Sequence, residues 1–125
     1  NLFVINFVLG LLRGCQIYVT LFKEELLKEE LFISVISRAE IMAGARPDEK
    51  RATREILEQF ISLPIDSLIA DRAGELVFDY KKKGITLHIE DCLIGATCLV
   101  HNLGLITSNT KHFPMLEDRV ISFPD

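Results

Sequence analysis

Two carboxylates stand where the chain changes direction. Glu40 closes the run Ser37-Arg38-Ala39-Glu40, and Asp91 opens an apolar stretch that holds no further acid. Local physics offers an ordinary account of each. Ser37 and Glu40 have capping-box spacing, in which the hydroxyl and the carboxylate satisfy each other's backbone N–H groups. Asp91 at a helix start gains about 0.3–1 kcal/mol from the helix dipole. Chemistry enters if the two acids meet. Carboxylates gathered at one edge repel each other unless a hard cation is present, and Mg²⁺ or Mn²⁺ prefers such oxygen ligands. A third stretch, Leu105-Ile106-Thr107-Ser108-Asn109-Thr110-Lys111-His112-Phe113, is a polar turn by composition. Its hydroxyls, its Asn109 amide and its two basic groups, Lys111 and His112, would also suit a phosphodiester. His88, Cys92, Cys98 and His101 do not make a zinc site: steps of about 100° along one helix would spread them around its circumference. No cysteine–histidine nucleophile pair and no glycine-rich phosphate loop is visible.

The elements that must position these groups alternate between short apolar strands and helices. Strands are expected at Leu2–Ile5, Leu31–Ile36, Leu63–Asp66, Leu105–Thr107 and Val120–Phe123, being short and rich in branched or aromatic residues. Helices are expected from Phe7 to Leu12, from Gln16 to Glu29 and from Ser37 onward. Another should cover Asp48–Ile61, with Ala52, Ile56 and Phe60 on one face. The next carries the stripe Ile69, Ala73, Leu76, Tyr80 and ends at Lys81-Lys82-Lys83-Gly84, cations on the negative helix end before a glycine stop. A last helix, Ile89–Leu103, is apolar nearly all round and should be buried on more than one side, with Gly104 as its stop. This alternation predicts parallel pairing through right-handed crossovers, hence an α/β fold: a three-layer α/β/α sandwich with a central parallel sheet, one domain over residues 1–125. Sites in such sheets lie beyond the carboxyl ends of the strands. That rule selects Asn6, Ser37 to Glu40, Asp66 and Thr107 to Asn109, with Asp91 at the same edge.

The 125 residues suffice for one core, and apolar and charged fractions of 49% and 26% are ordinary for a globular domain. The run Leu2–Leu12 is too short to span a bilayer and has no basic leader, so a soluble, cytoplasmic protein without membrane contact is expected. The three cysteines, Cys15, Cys92 and Cys98, lack framework spacing and read as free thiols of a reducing compartment. A net charge of −4 does not argue against nucleic acid, because a carboxylate cluster that holds metal makes the total more acidic.

Four segments in order resemble the PIN-domain family and, within it, the VapC-type toxins of toxin–antitoxin pairs. They are Leu11-Leu12-Arg13-Gly14, Leu31 to Gly44 around Ser37-Arg38-Ala39-Glu40, Ile89-Glu90-Asp91 to Thr97, and Leu105 to Phe113. The resemblance implies a metal-dependent endoribonuclease silenced by a cognate antitoxin, with Mg²⁺ or Mn²⁺ as cofactor. It makes Glu40 and Asp91 metal ligands, and gives Thr107 and Asn109 catalytic places beside the metal. Asn6, Arg13, Lys111 and His112 would contact the RNA; at His112 many relatives carry a fourth acid. One feature departs from the family. Its motif places Asp-Thr before the residue matched by Asn6, whereas here Leu2-Phe3-Val4-Ile5 runs straight into Asn6.

Three readings remain: the nuclease; a catalytically impaired PIN domain that only binds RNA or antitoxin; and another α/β hydrolase or phosphotransfer domain that uses the same acids on a small substrate. An Asp-Thr pair omitted between Ile5 and Asn6 would reconcile the motif, and would appear as a break in the backbone between them. A homodimer is also expected, from the resemblance and from the apolar surface of the Ile89–Leu103 helix. An antitoxin helix should lie in an apolar groove around Phe7, Leu11 and Phe22.

Overall fold

A computed structural model describes residues 2–6 and 30–122. The expected helices from Phe7 to Glu29, with Arg13, Cys15 and the groove around Phe7, Leu11 and Phe22, lie outside the described residues. Five strands form one sheet: β1 (Phe3–Asn6), β2 (Leu31–Ser34), β3 (Ile61–Leu63), β4 (Gly104–Thr107) and β5 (Val120–Ser122). Every pairing is parallel and the order is β3-β2-β1-β4-β5. The α-helices described are α1 (Val35–Gly44), α2 (Lys50–Leu57), α3 (Ser67–Lys82) and α4 (Ile89–His101).

Alternation along the strands feeds two cores, one on each face of the sheet. Val4 and Leu105 turn toward α3 and α4, joining Ile69, Ala73, Leu76, Ile94, Ala96 and Cys98. Their neighbours Ile5 and Ile106, with Leu31 and Ile33, turn the other way and pack with Ile41 of α1 and Leu57 of α2. Strands with apolar residues on both faces must be covered on both, which makes the three layers.

Several boundaries differ from the sequence reading, each for a local reason. The run Leu31–Ile36 does not stay extended to its end: Ser34 caps a helix that starts at Val35, its hydroxyl accepting the Ile36 N–H at 3.1 Å. Ser37 is therefore inside α1 and is not its cap, so the Ser37–Glu40 capping box does not form. Asp48–Ile61 divides into a 3₁₀ turn at Pro47–Glu49, helix α2 and strand β3. Its buried face is Thr53 and Leu57, with Phe60 just beyond, and Ala52 is exposed. Asp66 is the N-cap of α3, accepting the Ile69 N–H at 2.9 Å, and is not part of a strand. Helix α4 is stopped by Asn102 in the left-handed conformation (φ 56°), while Gly104 already belongs to β4. There a side chain is excluded, because a Cβ would come within 2.5 Å of the Phe3 ring and 3.0 Å of the Arg119 carbonyl. The α3 stripe, its lysine-rich end and the glycine stop at Gly84 (φ 81°) form as expected.

Strand β1 shows no break. Its register against β4 advances one rung per residue, Ile5 opposite Ile106 and Asn6 opposite Thr107. The expected gap for an omitted Asp-Thr pair is absent, and Asn6 is bonded directly to Ile5 as the last residue of the strand.

The two-sided core sets a stability contrast. Leu105 is fully buried, so Leu105→Ala should cost about 2–5 kcal/mol. Leu68 is 63% exposed, and Leu68→Ala should stay within about 0.5 kcal/mol. Urea denaturation of the two variants measures both.

Candidate active site at the carboxyl edge of the sheet

Four elements bring the chemistry-bearing residues together. Asn6 ends β1, and its register partner Thr107 ends β4. The Asn6 amide bridges two hydroxyls: Nδ2 donates to Thr107 Oγ1 at 3.4 Å, and Oδ1 accepts from Ser37 Oγ at 3.0 Å. Thr107 Oγ1 also accepts the Asn109 backbone N–H at 3.1 Å, which folds the chain back over the strand end. Ser37 and Thr107 are buried while Asn6 keeps partial exposure, so the bridge forms the floor of an open site.

Glu40 lies three residues beyond Ser37 in α1, and residues so spaced share a helix face. With the capping box absent, its carboxylate is free to serve the site. Asp91 enters from the first turn of α4. The electrostatics show that the acids are neighbours. Partial burial raises the Glu40 pKa above its ordinary value, and the charges of Asp91 and Glu90 raise it further. Burial also raises Asp91, with His112 and His88 acting in the opposite direction and Glu90 adding to the rise. His112, on the 3₁₀ turn Thr110–His112 after β4, approaches Asp91 with Nδ1 3.3 Å from Oδ2, an ion pair when the ring is protonated.

The structure thus brings together Glu40, Asp91, Asn6, Thr107, Asn109 and His112. Lys111 is exposed on the same turn. Arg13 lies outside the described residues, and Asp66 is used as a helix cap. Three participants were not legible as such in the sequence. Ser37 holds Asn6 instead of capping a helix, and Glu90 and His88 tune the acids from positions flanking α4's start. Sequence adjacency to Asp91 was the only available signal for the latter two.

The donor set has a definite character. Two carboxylates, each held above its ordinary pKa, face a neutral amide whose oxygen already accepts one hydrogen bond. Among the described residues no three His, Cys, Asp or Glu side chains close around one point. Such a set fits a hard divalent cation bound by one or two carboxylates that keeps several waters, as Mg²⁺ commonly is. It does not fit a closed tetrahedral site.

Comparison with known proteins agrees with this geometry. The PIN domain family model matches residues 6–116. Ribonuclease VapC10 of Mycobacterium tuberculosis is 40% identical over 87 residues, a match covering 70% of this chain and 65% of the relative, so the chain spans just under two thirds of that protein's length. Among solved structures, a toxin–antitoxin complex from Klebsiella pneumoniae matches with a TM-score of 0.76 and 32% identity, over 97% of this chain and 95% of that one. VapBC2 from Rickettsia felis, bound to a DNA fragment from its promoter, shares the fold at a TM-score of 0.81 and 17% identity, over 99% of this chain and 100% of that chain. The match across most of the sequence and the shared parallel sheet lead to one conclusion: this chain belongs to the PIN-domain family.

Proposed function

We propose that the protein is a metal-dependent endoribonuclease of the VapC type, the toxin of a toxin–antitoxin pair. The observation that carries this reading is the convergence of Glu40 and Asp91, from two different helices, on the hydrogen-bonded strand ends of Asn6 and Thr107. Supporting it, the relative from Mycobacterium tuberculosis is named a ribonuclease, and the Klebsiella pneumoniae structure is a toxin–antitoxin complex.

Glu40 and Asp91 would hold Mg²⁺ or Mn²⁺. When bound, such a cation polarises water and offsets charge on the phosphate in an in-line displacement. The chain's own groups do the rest. Thr107 and Asn109 position water or phosphate at the strand ends. His112 orients Asp91 through their 3.3 Å contact. Lys111, His112 and Arg13 contact the RNA backbone, where cations contribute affinity without reading sequence. Asn6 contributes a neutral amide where the family motif has an acid nearby, so metal affinity rests on two carboxylates. An antitoxin is the proposed protein partner, and a second copy of the chain another. Ile89 and Val100 of α4, 47% and 36% exposed, leave apolar surface for such contacts. Among the described residues no helix is long and apolar enough to cross a membrane. The buried free thiols Cys92 and Cys98 suit a reducing compartment such as the cytoplasm.

Asn6 also motivates a second reading, a PIN domain with little catalysis that works by binding RNA or antitoxin. Metal-stimulated RNA cleavage separates the two. The nuclease reading expects Mn²⁺-stimulated cleavage that Glu40→Gln and Asp91→Asn each reduce by about 100-fold or more, while folding is unchanged. RNA binding without cleavage at any metal concentration supports the second reading. Asn6→Asp adds a third carboxylate between two hydroxyls able to donate to it, and should raise metal affinity by about tenfold, measured by calorimetry.

Raised carboxyl pKa values also set a pH dependence. The folded state holds protons on Glu40 and Asp91 more tightly than the unfolded chain does. Stability without metal therefore falls as pH rises from the ordinary carboxylate range through the raised values. Mg²⁺ should restore stability at neutral pH and have little effect near pH ~4, where protons compete. Glu40→Gln should raise the metal-free melting temperature at neutral pH and shrink the Mg²⁺ effect. Thermal melts at the two pH values, with Mg²⁺ or chelator, check this.

A further inference from the structure

The opposite edge of the sheet holds a second cavity. It measures about 580 Å³ and lies at the amino ends of β1 and β4, away from the carboxylate site at their carboxyl ends. Leu2, Phe3 and Gly104 line one side. His101, Asn102 and Leu103, where α4 turns into β4, line another, and Asp118, Arg119 and Ile121 complete it. Its volume is in the usual range for small-molecule sites.

The wall is held by backbone features. Asn102 adopts its left-handed cap, and the Gly104 N–H donates to the Leu2 carbonyl at 3.1 Å. Gly104 permits the close approach of the Phe3 ring and the Arg119 carbonyl, which any larger residue would push apart. Within this wall one charged group lacks a partner. Nη1 of Arg119 is buried and finds no hydrogen-bond acceptor among the described residues. A guanidinium presents five donors in a fixed fork, and a buried donor without an acceptor costs about 1–3 kcal/mol or more when charged. Arg119 also faces inward: its charge acts on the buried Cys98 thiol, lowering a pKa that burial pushes up to about 12.

We infer that this cavity is a ligand site for a small organic monocarboxylate, its carboxylate paired with Arg119 and its apolar body lying along Leu2, Phe3, Leu103 and Ile121. The chemistry selects each part. A carboxylate matches the guanidinium fork and supplies the missing acceptor. The apolar side chains favour an aliphatic or aromatic body over a bare ion. Asp118, exposed on the rim, disfavours ligands with several negative charges.

Amide NMR spectra of the full chain, titrated with phenylacetate, phenylacetamide and inorganic phosphate, test the assignment. Phenylacetate is expected to shift residues 101–104 and 119–121 saturably, with phenylacetamide and phosphate at least about tenfold weaker. Arg119→Gln should abolish the shifts. Since that change touches a half-buried residue, Ile121→Glu is the second variant: Ile121 is 43% exposed, and a carboxylate there repels the ligand while the fold and metal-dependent cleavage stay unchanged. The inference is overturned if phenylacetamide or phosphate binds as well as phenylacetate. It is equally overturned if the shifts map to Asn6, Glu40 and Thr107, if Ile121→Glu binds like the parent, or if no saturation occurs up to about 10 mM.

Discussion

Strand β1 is only four residues long, yet it pairs in parallel with a neighbour on each side, β2 and β4. Parallel pairing sets all strand ends pointing one way, and the register against β4 sets Asn6 beside Thr107. From that rung the candidate active site is assembled. Ser37 reaches Asn6 because α1 begins immediately after β2. Asp91 comes in because α4, which leads into β4, must begin at the carboxyl edge in order to end at the amino edge. A slip of one residue in β1 would turn Val4 and Ile5 to the wrong cores and remove the Asn6 amide from both hydroxyls.

The same geometry creates an electrostatic tension. Carboxylates from separate helices are drawn together by the backbone, and burial and mutual charge hold their protons more tightly than in water. A fold selected for stability alone would not place Glu40, Glu90 and Asp91 within reach of each other with only histidines to answer them. Shifts of this kind cluster at functional sites. The local chemistry of α1 agrees: Ser34, and not Ser37, caps the helix, which leaves Glu40 without a structural task.

The two edges of the sheet contrast in sign. The carboxyl edge gathers acids around a neutral amide bridge. The amino edge presents a guanidinium with an unused donor beside apolar side chains. Both arise from the strands β1 and β4, one at each end, so the sheet separates opposite chemistries by little more than a strand length of about 10–13 Å.

Much of this was legible from residue types and periods. Short branched runs alternating with helical stripes are enough for parallel strands and two covered faces, because each strand's side chains alternate between layers. The stripe Ile69, Ala73, Leu76 and the lysine-rich helix end behave as their chemistry dictates. Glu40, Asp91 and Thr107 could be picked out because parallel sheets collect function at one edge. Element ends were less legible, since Ser34 and Ser37 are equally good caps by type, and only the pairing of β2 with β3 shows where extension stops. The sequence by itself determined which residues could carry charge, donate or cap, and which faces had to be buried. Tertiary structure alone decided the partners: that Ser37 meets Asn6 across 31 positions, that Thr107 meets it across 101, and that Arg119 is buried beside Cys98 without an acceptor. Those contacts depend on strand order and register, which are set by the sum of packing over the whole core and are not encoded in any local stretch.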